Sequence, residues 1–362
     1  RVARSLLVLK GLTHRDTGGI VAAPTASLPE DIGGVRNWDY RYVWLRDTAL
    51  TLEALMAHNH TEDAKAWRDW LLRAIAGDPQ DVQIMYTLSG GRRMPERDLE
   101  HLPGYEGSRP VAHVHGLALG KLRDAGVGED PWSWTLQKRL VERLLAHRDT
   151  KEHGLWEMRG EPAFFTHGRV MMWAALDQAL HAARDHGLPA RDDELEAWER
   201  AREELREEIL TEGVDEDGAF RQTYGSTETD ASLLQIPHTG FVPHDDPHML
   251  ATVARVEEDL VTQTGLVMRY RATGMDGLPG EEAPFIMCAF WLVEQYARSG
   301  RVEDAERLMA RLDDCANDLL LMAEEYDDEL DRMAGNFPQA FSHLGLIRAV
   351  DALEDARGAA EA

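Results

Sequence analysis

The chain has 362 residues, of which 43% are hydrophobic, and a net charge of −26 at pH 7. The hydrophobic fraction is sufficient for a sizeable core, but no run approaches the roughly 18 consecutive apolar residues of a membrane span. The negative charge, with no basic patch to offset it, excludes nucleic acids and anionic membrane surfaces as partners. No secretory signal is visible at the start of the sequence, so we expect a cytoplasmic protein.

The apolar residues of most of the chain follow a helical period. The first ten residues resemble the start of an amphipathic helix. Nine further segments carry apolar side chains at i, i+3 and i+4: 47–58, 64–75, 132–146, 170–183, 193–210, 249–262, 285–299, 302–312 and 341–353. Strands do not alternate with helices, which argues against a doubly wound α/β fold. The pattern predicts one all-α domain spanning residues 1–362.

Several large side chains on these segments are expected in the core. They are Trp67, Trp70, Trp198 and the run Met171, Met172 and Trp173. Cys288 and Cys315 both lie in apolar surroundings, which favours buried free thiols, with a disulfide left open. None of these residues needs a functional explanation.

Long loops connect the predicted helices. They are rich in glycine, proline and aromatic residues and cover 13–35, 89–110, 150–166, 215–229, 239–247, 271–284 and 324–338. Connections in helical bundles are usually shorter, and loops on a rigid scaffold often carry binding and catalytic residues. We therefore expect the functional site on loops at one end of the helical domain.

The segment 33–47 combines aromatic and charged residues. Its aromatic residues occupy every second position: Trp38, Tyr40, Tyr42 and Trp44. Its charged residues include Asp39, Arg41, Arg46 and Asp47. An extended chain would point the four rings the same way, and rings beside carboxylates and guanidinium groups suit a sugar with apolar faces and a rim of hydroxyls. An edge strand with a buried aromatic face explains the same alternation equally well.

Two carboxylates on separate segments suggest acid–base chemistry. Glu157 follows Trp156 in the loop 154–160, and an apolar ring raises the pKa of a neighbouring carboxyl by desolvation, as a general acid requires. Glu324 and Glu325 are expected at the end of an apolar helix over 319–323, where one of them could activate water. Acetal hydrolysis needs such an acid and base. Without further information, surface or capping roles explain both sites as well.

Nearly the whole chain resembles the catalytic domain of glycoside hydrolase family 15, the bacterial glucoamylase, glucodextranase and trehalase group. The matching blocks are 20–29 (IVAAPTASLP), 33–47, 82–86 (VQIMY), 101–111 (HLPGYEGSRPV), 154–160 (GLWEMRG), 165–177 (FTHGRVMMWAALD), 230–237 (DASLLQIP), 277–293 and 320–346. The resemblance implies an (α/α)6 barrel with its active site on the loops at one end. It also implies inverting hydrolysis of α-glucosidic bonds with release of β-glucose.

The family pattern assigns roles to individual residues of this chain. Glu157 matches the general acid and Glu324 the general base, with Glu325 beside it in support. The residues expected to bind the substrate are Arg46, Asp47, Trp156, Arg269 and Glu325, with Trp38 and Trp44 as apolar walls. The carboxyl groups of an inverting pair stand about 6.5–9.5 Å apart, which leaves room for a water molecule.

The sequence departs from the family pattern after Val111. Relatives usually carry Arg-Ile-Gly-Asn where this chain has Ala-His-Val-His at 112–115. We expect His113 and His115 to contact the substrate instead, which changes the hydrogen-bonding groups at the sugar and therefore the specificity. The two histidines would also suit a metal ion, with further ligands from 244–248. Inverting acetal hydrolysis needs no metal, so we expect neither a metal nor another cofactor.

A second departure concerns domain organisation. Bacterial family members generally carry an N-terminal β-sandwich domain before the barrel, and this sequence contains only the barrel region. Because the sandwich contributes to the rim of the active site in relatives, we expect an open pocket or one covered by a second copy of the chain or another subunit.

The sequence therefore predicts an exo-acting, inverting α-glucoside hydrolase that acts on a small-molecule glucoside or short oligosaccharide. Candidates are malto- and isomalto-oligosaccharides, trehalose and a glucosylated metabolite. The alternative is a barrel of the same family repurposed as a non-hydrolytic biosynthetic enzyme or a carbohydrate-binding protein. The changed segment 112–115 and the missing sandwich favour the alternative, whereas Glu157 and Glu324 argue against it.

Overall fold

The computed structural model describes residues 1–75, 82–94, 104–108 and 131–361. In chain order these residues form the helices α1 (Val2–Gly11), α2 (Leu45–Ala57), α3 (Thr61–Ala74), α4 (Pro131–His147), α5 (Thr166–Arg184), α6 (Asp192–Glu212), α7 (Pro247–Asp259), α8 (Ile286–Arg298), α9 (Val302–Asp313) and α10 (Ala340–Glu361). Short 3-10 turns cover Tyr105–Gly107, Ala231–Gln235 and Pro237–Thr239. Each segment with a helical apolar period falls on one of these helices, which confirms the predicted all-α class.

Helix α8 lies in the centre of the larger core. Every residue from Ile286 to Ala297 is buried, as expected of a helix that is apolar on all sides. It packs against α9 and α10, and α10 also contacts α1 and α2. Trp67 and Trp70 of α3 belong to the same core, as predicted. The loop that precedes α8 is therefore attached directly to the larger core.

A second core joins α4, α5 and α6, with Trp173 and Trp198 among its buried residues. Met172 is partly buried against it, but Met171 is 39% exposed, so the prediction that Met171 belongs to the core is wrong. Consecutive residues of a helix point about 100° apart, so three in a row cannot all face one core. Among the described residues, no helix combines the length and apolar character needed to cross a membrane.

Two small antiparallel ladders position the loops. Strand β1 (Val43–Trp44) pairs with β2 (Met85–Tyr86), with Val43 opposite Tyr86. Strand β3 (Glu325–Asp327) pairs with β4 (Arg332–Ala334), with Glu325 opposite Ala334. Before β1 the chain is extended and pairs with 22–27 through bonds such as Ala23 N–H to Tyr40 O, at 3.0 Å. The extended conformation expected for the aromatic segment is thus present up to the start of α2.

The apolar run 319–323 is not helical, so the expectation that Glu324 follows a helix is wrong. Helix α9 ends at Asp313, and the Asn317 carboxamide then accepts hydrogen bonds from the Leu319 and Leu321 N–H groups, at 3.0 and 2.9 Å. An asparagine side chain that takes up local N–H groups favours a turn over a helix. Leu320 has a positive φ of 59° in this turn. Glu324 consequently lies at a bend in the chain, directly before β3.

Candidate active site

A cavity of about 460 Å³ opens between the loops that precede α2, α5, α8 and α10. Its wall contains eight of the residues singled out from the sequence: Trp38, Trp44, Arg46, Asp47, Trp156, Glu157, Arg269 and Glu324. Three other residues predicted from the sequence to belong to the site are not part of this wall. Glu325 is buried outside the lining, and His113 and His115 lie outside the described residues. These eight residues come from four separate segments of the chain, which meet at one site.

The loop that carries Glu157 is tightly folded. The Glu157 N–H donates to Gly154 O and the Met158 N–H donates to His153 O, at 3.2 and 2.9 Å. Gly154 has a φ of +74°, and a Cβ added there would lie 2.9 Å from the Phe165 ring. Glu157 itself has a φ of +58°, a conformation that non-glycine residues adopt at some cost and that often marks functional positions. The backbone therefore turns the Glu157 side chain into the cavity.

Glu157 has the electrostatic environment of a general acid. Burial raises its pKa well above the ordinary range, and the Arg46 guanidinium opposes that shift. Arg46 Nη1 lies 3.3 Å from Glu157 Oε1. The Glu157 side chain is 24% exposed and lines the cavity. A carboxyl whose pKa is raised by burial favours its protonated form and can donate the proton.

Trp156 attaches the loop of Glu157 to the larger core. The centroid of its ring lies 5.7 Å from that of Phe285 and 5.9 Å from that of Trp291, and both rings belong to the larger core. Its indole N–H donates to Asp230 Oδ1 at 2.7 Å. Because both the ring and its N–H are held, Trp156 presents a fixed apolar surface to the cavity.

Arg46 and Asp47 occupy the first turn of α2. Arg46 donates to Leu155 O at 2.6 Å and to Asp47 Oδ2 at 3.2 Å, and its guanidinium lies 5.0 Å from the Phe341 ring. It therefore links α2 to the loop of Glu157 and to the start of α10. Asp47 is 3% exposed, and burial raises its pKa against the effect of Arg46. Both charged groups are fixed at the cavity wall, where they can bind sugar hydroxyls.

Glu324 lines the same cavity from a different segment. Its Oε1 accepts a 2.6 Å hydrogen bond from the Tyr40 hydroxyl, while its Oε2 accepts none from the described residues. The backbone is fixed on both sides, since Glu324 N–H donates to Asn336 O and Ile286 N–H donates to Glu324 O. Burial and then the charge of Glu30 raise the pKa of Glu324, whereas Arg269 and the Tyr40 hydroxyl lower it. When ionised, such a carboxylate is a strong proton acceptor.

Arg269 is held by three buried carboxylates. Its guanidinium lies 2.7 Å from Glu282, 3.1 Å from Glu30 and 3.3 Å from Glu325. Glu282 also accepts hydrogen bonds from Arg36 and Tyr270, each at 2.7 Å. Glu325, expected from the sequence to bind substrate, is completely buried and contacts Arg269 instead. We therefore interpret Glu325 as a support for Arg269, which itself lines the cavity.

Three of the four alternating aromatic residues reach the cavity. Trp38 donates its indole N–H to Glu30, and Trp44 lies edge-on to Tyr40 at 5.5 Å. Tyr42 packs beside Trp44 in a small separate cluster. The hydroxyl of Tyr40, which binds Glu324, was not predicted. The alternation indicated that its ring would face the site, but not that its hydroxyl would meet a carboxylate.

The residues considered as metal ligands have other partners where they are described. His244 Nδ1 lies 2.6 Å from Gln295 Oε1 and His248 Nδ1 lies 2.8 Å from Gly218 O. Asp246 accepts from the His248 N–H at 2.8 Å and caps α7, which begins with Pro247. Within the described ranges, no group of three or more His, Cys, Asp or Glu side chains is arranged to hold a metal ion. Cys288 and Cys315 are buried free thiols, as favoured by the sequence.

Trehalases are among the known proteins to which the chain is similar in sequence. The chain is 38% identical to the trehalase of Mycolicibacterium smegmatis over 96% of this chain and 54% of that protein. It is 40% identical to the trehalase of Mycobacterium tuberculosis over 96% and 53%, and 36% identical to the trehalase of Thermoplasma acidophilum over 98% and 62%. The chain thus spans between about half and two thirds of the length of these relatives.

Solved structures share the fold. A bacterial glucoamylase complexed with acarbose matches with a TM-score of 0.71 at 16% identity, over 97% of this chain and 55% of that one. A glycosidase in complex with glucose matches with a TM-score of 0.70 at 19% identity, over 98% and 96%. These likenesses confirm the predicted (α/α)6 barrel. The model of the family described as glycosyl hydrolases family 15 matches residues 1–351. The chain therefore belongs to family 15 of the glycosyl hydrolases.

Proposed function

We propose that this protein is an exo-acting, inverting α-glucoside hydrolase and that trehalose is its substrate. The observation that carries the proposal is that Glu157 and Glu324, from distant parts of the chain, line one cavity. Membership of family 15 and the trehalases among the relatives favour trehalose over the other short α-glucosides predicted from the sequence.

In the proposed reaction Glu157 is neutral and donates its proton to the glycosidic oxygen as the bond to the anomeric carbon breaks. Glu324 is ionised and takes a proton from a water molecule that attacks the same carbon from the opposite face. The released sugar leaves with the proton from Glu157, and the glucose formed has the inverted, β configuration. The raised pKa of Glu157 supports the role of acid, and the Tyr40 hydrogen bond supports the charged form of Glu324.

The cavity suits a small substrate. Its volume of about 460 Å³ lies in the usual range for small-molecule sites. We propose that Arg46 and Asp47 bind hydroxyls of the terminal glucose, that Arg269 contacts the second sugar, and that Trp38, Trp44 and Trp156 provide apolar walls. Both catalytic groups lie on the wall of a cavity rather than of an open groove, which supports attack at a chain end.

Proton NMR of the products distinguishes the possible mechanisms. Trehalose has two α-linked glucose units, so inverting hydrolysis gives initially one β- and one α-glucose, whereas retaining hydrolysis gives two α-glucose molecules. We expect the wild type to release equal initial amounts of α- and β-glucose. Glu157→Gln and Glu324→Gln should each lose at least about a hundredfold in kcat, while Glu329→Gln, which removes an exposed carboxyl on the same stretch as Glu324, should keep full activity.

The repurposed barrel makes the opposite prediction. A folded protein that binds trehalose without releasing glucose from it, or from maltose or isomaltose, would contradict the hydrolase and support the non-hydrolytic alternative. Release of two α-glucose molecules would contradict the assignment of Glu324 as base. Glucose from maltose or isomaltose but not from trehalose would contradict the substrate alone.

The organisation of the protein is a separate proposal. We propose that residues 1–362 form one domain and that a second copy of the chain or another subunit covers its pocket. Light scattering coupled to size-exclusion chromatography measures the mass of the particle directly. A monomer that hydrolyses its substrate at full rate would contradict a covering partner.

A further inference from the structure

Glu30 is a buried carboxylate that contacts two walls of the cavity without lining it. It is 3% exposed and is not part of the lining. One of its oxygens accepts the indole N–H of Trp38, and the other accepts from Arg269 Nη2 at 3.1 Å. Both donors line the cavity. Glu30 therefore fixes one ring and one guanidinium of the site at the same time.

Glu30 also lies close to Glu324, and both side chains are near Gly335. A Cβ built on Gly335 would lie 3.1 Å from Glu324 Oε2 and 3.7 Å from Glu30 Cγ. Gly335 is held in this place because its N–H donates to Pro29 O at 2.7 Å. The oxygen of Glu324 that faces this point is Oε2, which accepts no hydrogen bond from the described residues.

Around Glu30 and Glu324, the buried acidic groups outnumber the basic groups that contact them. The buried acids that meet here are Glu30, Glu282, Glu324, Glu325 and Asp276. The described cations in contact with them are Arg269, which binds Glu30, Glu282 and Glu325, and Arg36, which binds Glu282 and Asp276. Like charges so close together and away from water oppose each other's ionisation.

The hydrogen-bond donors are distributed unequally between Glu30 and Glu324. Glu30 has a donor at each oxygen, and an ionised carboxylate is the form that accepts two donors. Glu324 has a donor at Oε1 only. Burial raises the pKa of Glu30 as well, but Arg269, Arg36 and the Trp38 N–H lower it. Because it has more donors, Glu30 is therefore the more readily ionised of the two groups, and Glu324 is the one that gains and loses a proton. The raised pKa of Glu324, to which Glu30 is the largest contribution after burial, agrees with this order.

We propose that Glu30 is a positioning residue for the general base: it orients Trp38 and Arg269, and its charge makes Glu324 a stronger acceptor for the proton of the attacking water. This inference rests on the proposed role of Glu324 in hydrolysis. Proton transfer to a more basic carboxylate has a larger driving force, so the rate of water attack rises with the basicity of Glu324. The same charge moves the acid limb of the activity profile to higher pH, since Glu324 must be ionised to act.

The test compares Glu30→Gln, which removes the charge at constant size, with Glu30→Asp, which keeps the charge on a shorter side chain. For Glu30→Gln we expect the acid limb of kcat/KM for trehalose to move down by about one pH unit and the plateau kcat to fall at least tenfold. For Glu30→Asp we expect a lower kcat with the limb within a few tenths of a unit of the wild type. Asp31→Asn, which removes the neighbouring carboxylate outside the cavity lining, should change neither quantity.

A second measurement does not depend on hydrolysis. Carbon-13 NMR of the glutamate carboxyls, with the Glu324 signal identified by its loss in Glu324→Gln, follows the ionisation of Glu324 directly. We expect the pH at which half of Glu324 is ionised to be lower in Glu30→Gln than in the wild type and to be unchanged in Asp31→Asn. An unchanged midpoint in Glu30→Gln would overturn the inference even if the enzyme is active. A lowered midpoint in a protein that hydrolyses none of the sugars would contradict the proposed function and leave the electrostatic pairing intact.

Discussion

Gly335 packs against Glu324, and replacing it with alanine tests whether the position of Glu324 controls the reaction. A Cβ at residue 335 would lie 3.0 Å from Glu324 Cβ and 3.1 Å from its Oε2. Both distances are shorter than ordinary van der Waals contact between such atoms, which is about 3.5 Å or more. The Cβ of Glu324 cannot move away freely because the backbone of Glu324 is hydrogen-bonded to Asn336 and Ile286. The added methyl group must therefore displace the carboxylate.

Gly335→Ala should have two effects, one on stability and one on the rate of the reaction. Gly335 has a φ of +76°, and a left-handed conformation costs an alanine about 1–2 kcal/mol of stability. The displacement of the carboxylate acts on the reaction instead. A shift of up to about 1 Å at a reacting group lowers the rate by as much as a hundredfold, so we expect a loss of about tenfold to a hundredfold in kcat with a small change in KM.

Gly265→Ala is the matched control. Gly265 has a similar φ of +86°, but an added Cβ there would meet no atom within 4 Å. Urea denaturation should show a similar loss of stability in both variants, and NMR with trehalose should show a loss of kcat in Gly335→Ala alone. Equal activity of the two variants would refute the reasoning, because it would mean that the position of Glu324 tolerates the methyl group or does not matter.

Three further changes test other parts of the structure. Arg36→Met removes a cation that binds two buried carboxylates, Asp276 and Glu282, and should lower the free energy of unfolding by about 3–5 kcal/mol; a loss below 1 kcal/mol in urea would contradict the buried ion pairs. Burial raises the pKa of Glu157 above its ordinary value of 4.5, so its ionisation reduces stability as the pH rises above that value. Glu157→Gln should thus be more stable than the wild type near pH 7 but not near pH 4, and an equal gain at both would argue against the shift. A Cβ at Gly168 would lie 2.3 Å from Glu152 Oε1, so Gly168→Ala should cost about 1–3 kcal/mol. Adding Glu152→Asp should recover part of that loss in a double-mutant cycle.

The all-α class and the positions of the helices could be predicted because the period of apolar residues is local information. The segment 286–297 shows this, since its almost continuous apolar run gives a fully buried helix. The segment 319–323 shows the limit. It is as apolar as a helix, but the Asn317 side chain takes its N–H groups and turns the chain. Apolar content alone does not distinguish a buried helix from a turn under the core.

The loops of the candidate site could be predicted as well. An acid after a tryptophan and the ordered family blocks identified Glu157 and Glu324, and the structure brings both to one cavity. The partners of these residues could not be predicted. Tyr40 and Glu324 are 284 positions apart in the sequence, and no spacing rule connects them.

The sequence by itself determined which segments are helical, which family the chain resembles, and which carboxylates are candidates for the chemistry. Only the tertiary structure decided that Glu30 lies beside Glu324 and that Glu325 supports Arg269 rather than facing the cavity. The physical reason is that helical periodicity depends on neighbours a few residues away. The ionisation of a buried carboxylate depends instead on the charges and donors brought close by distant loops, and the folded chain alone sets those distances.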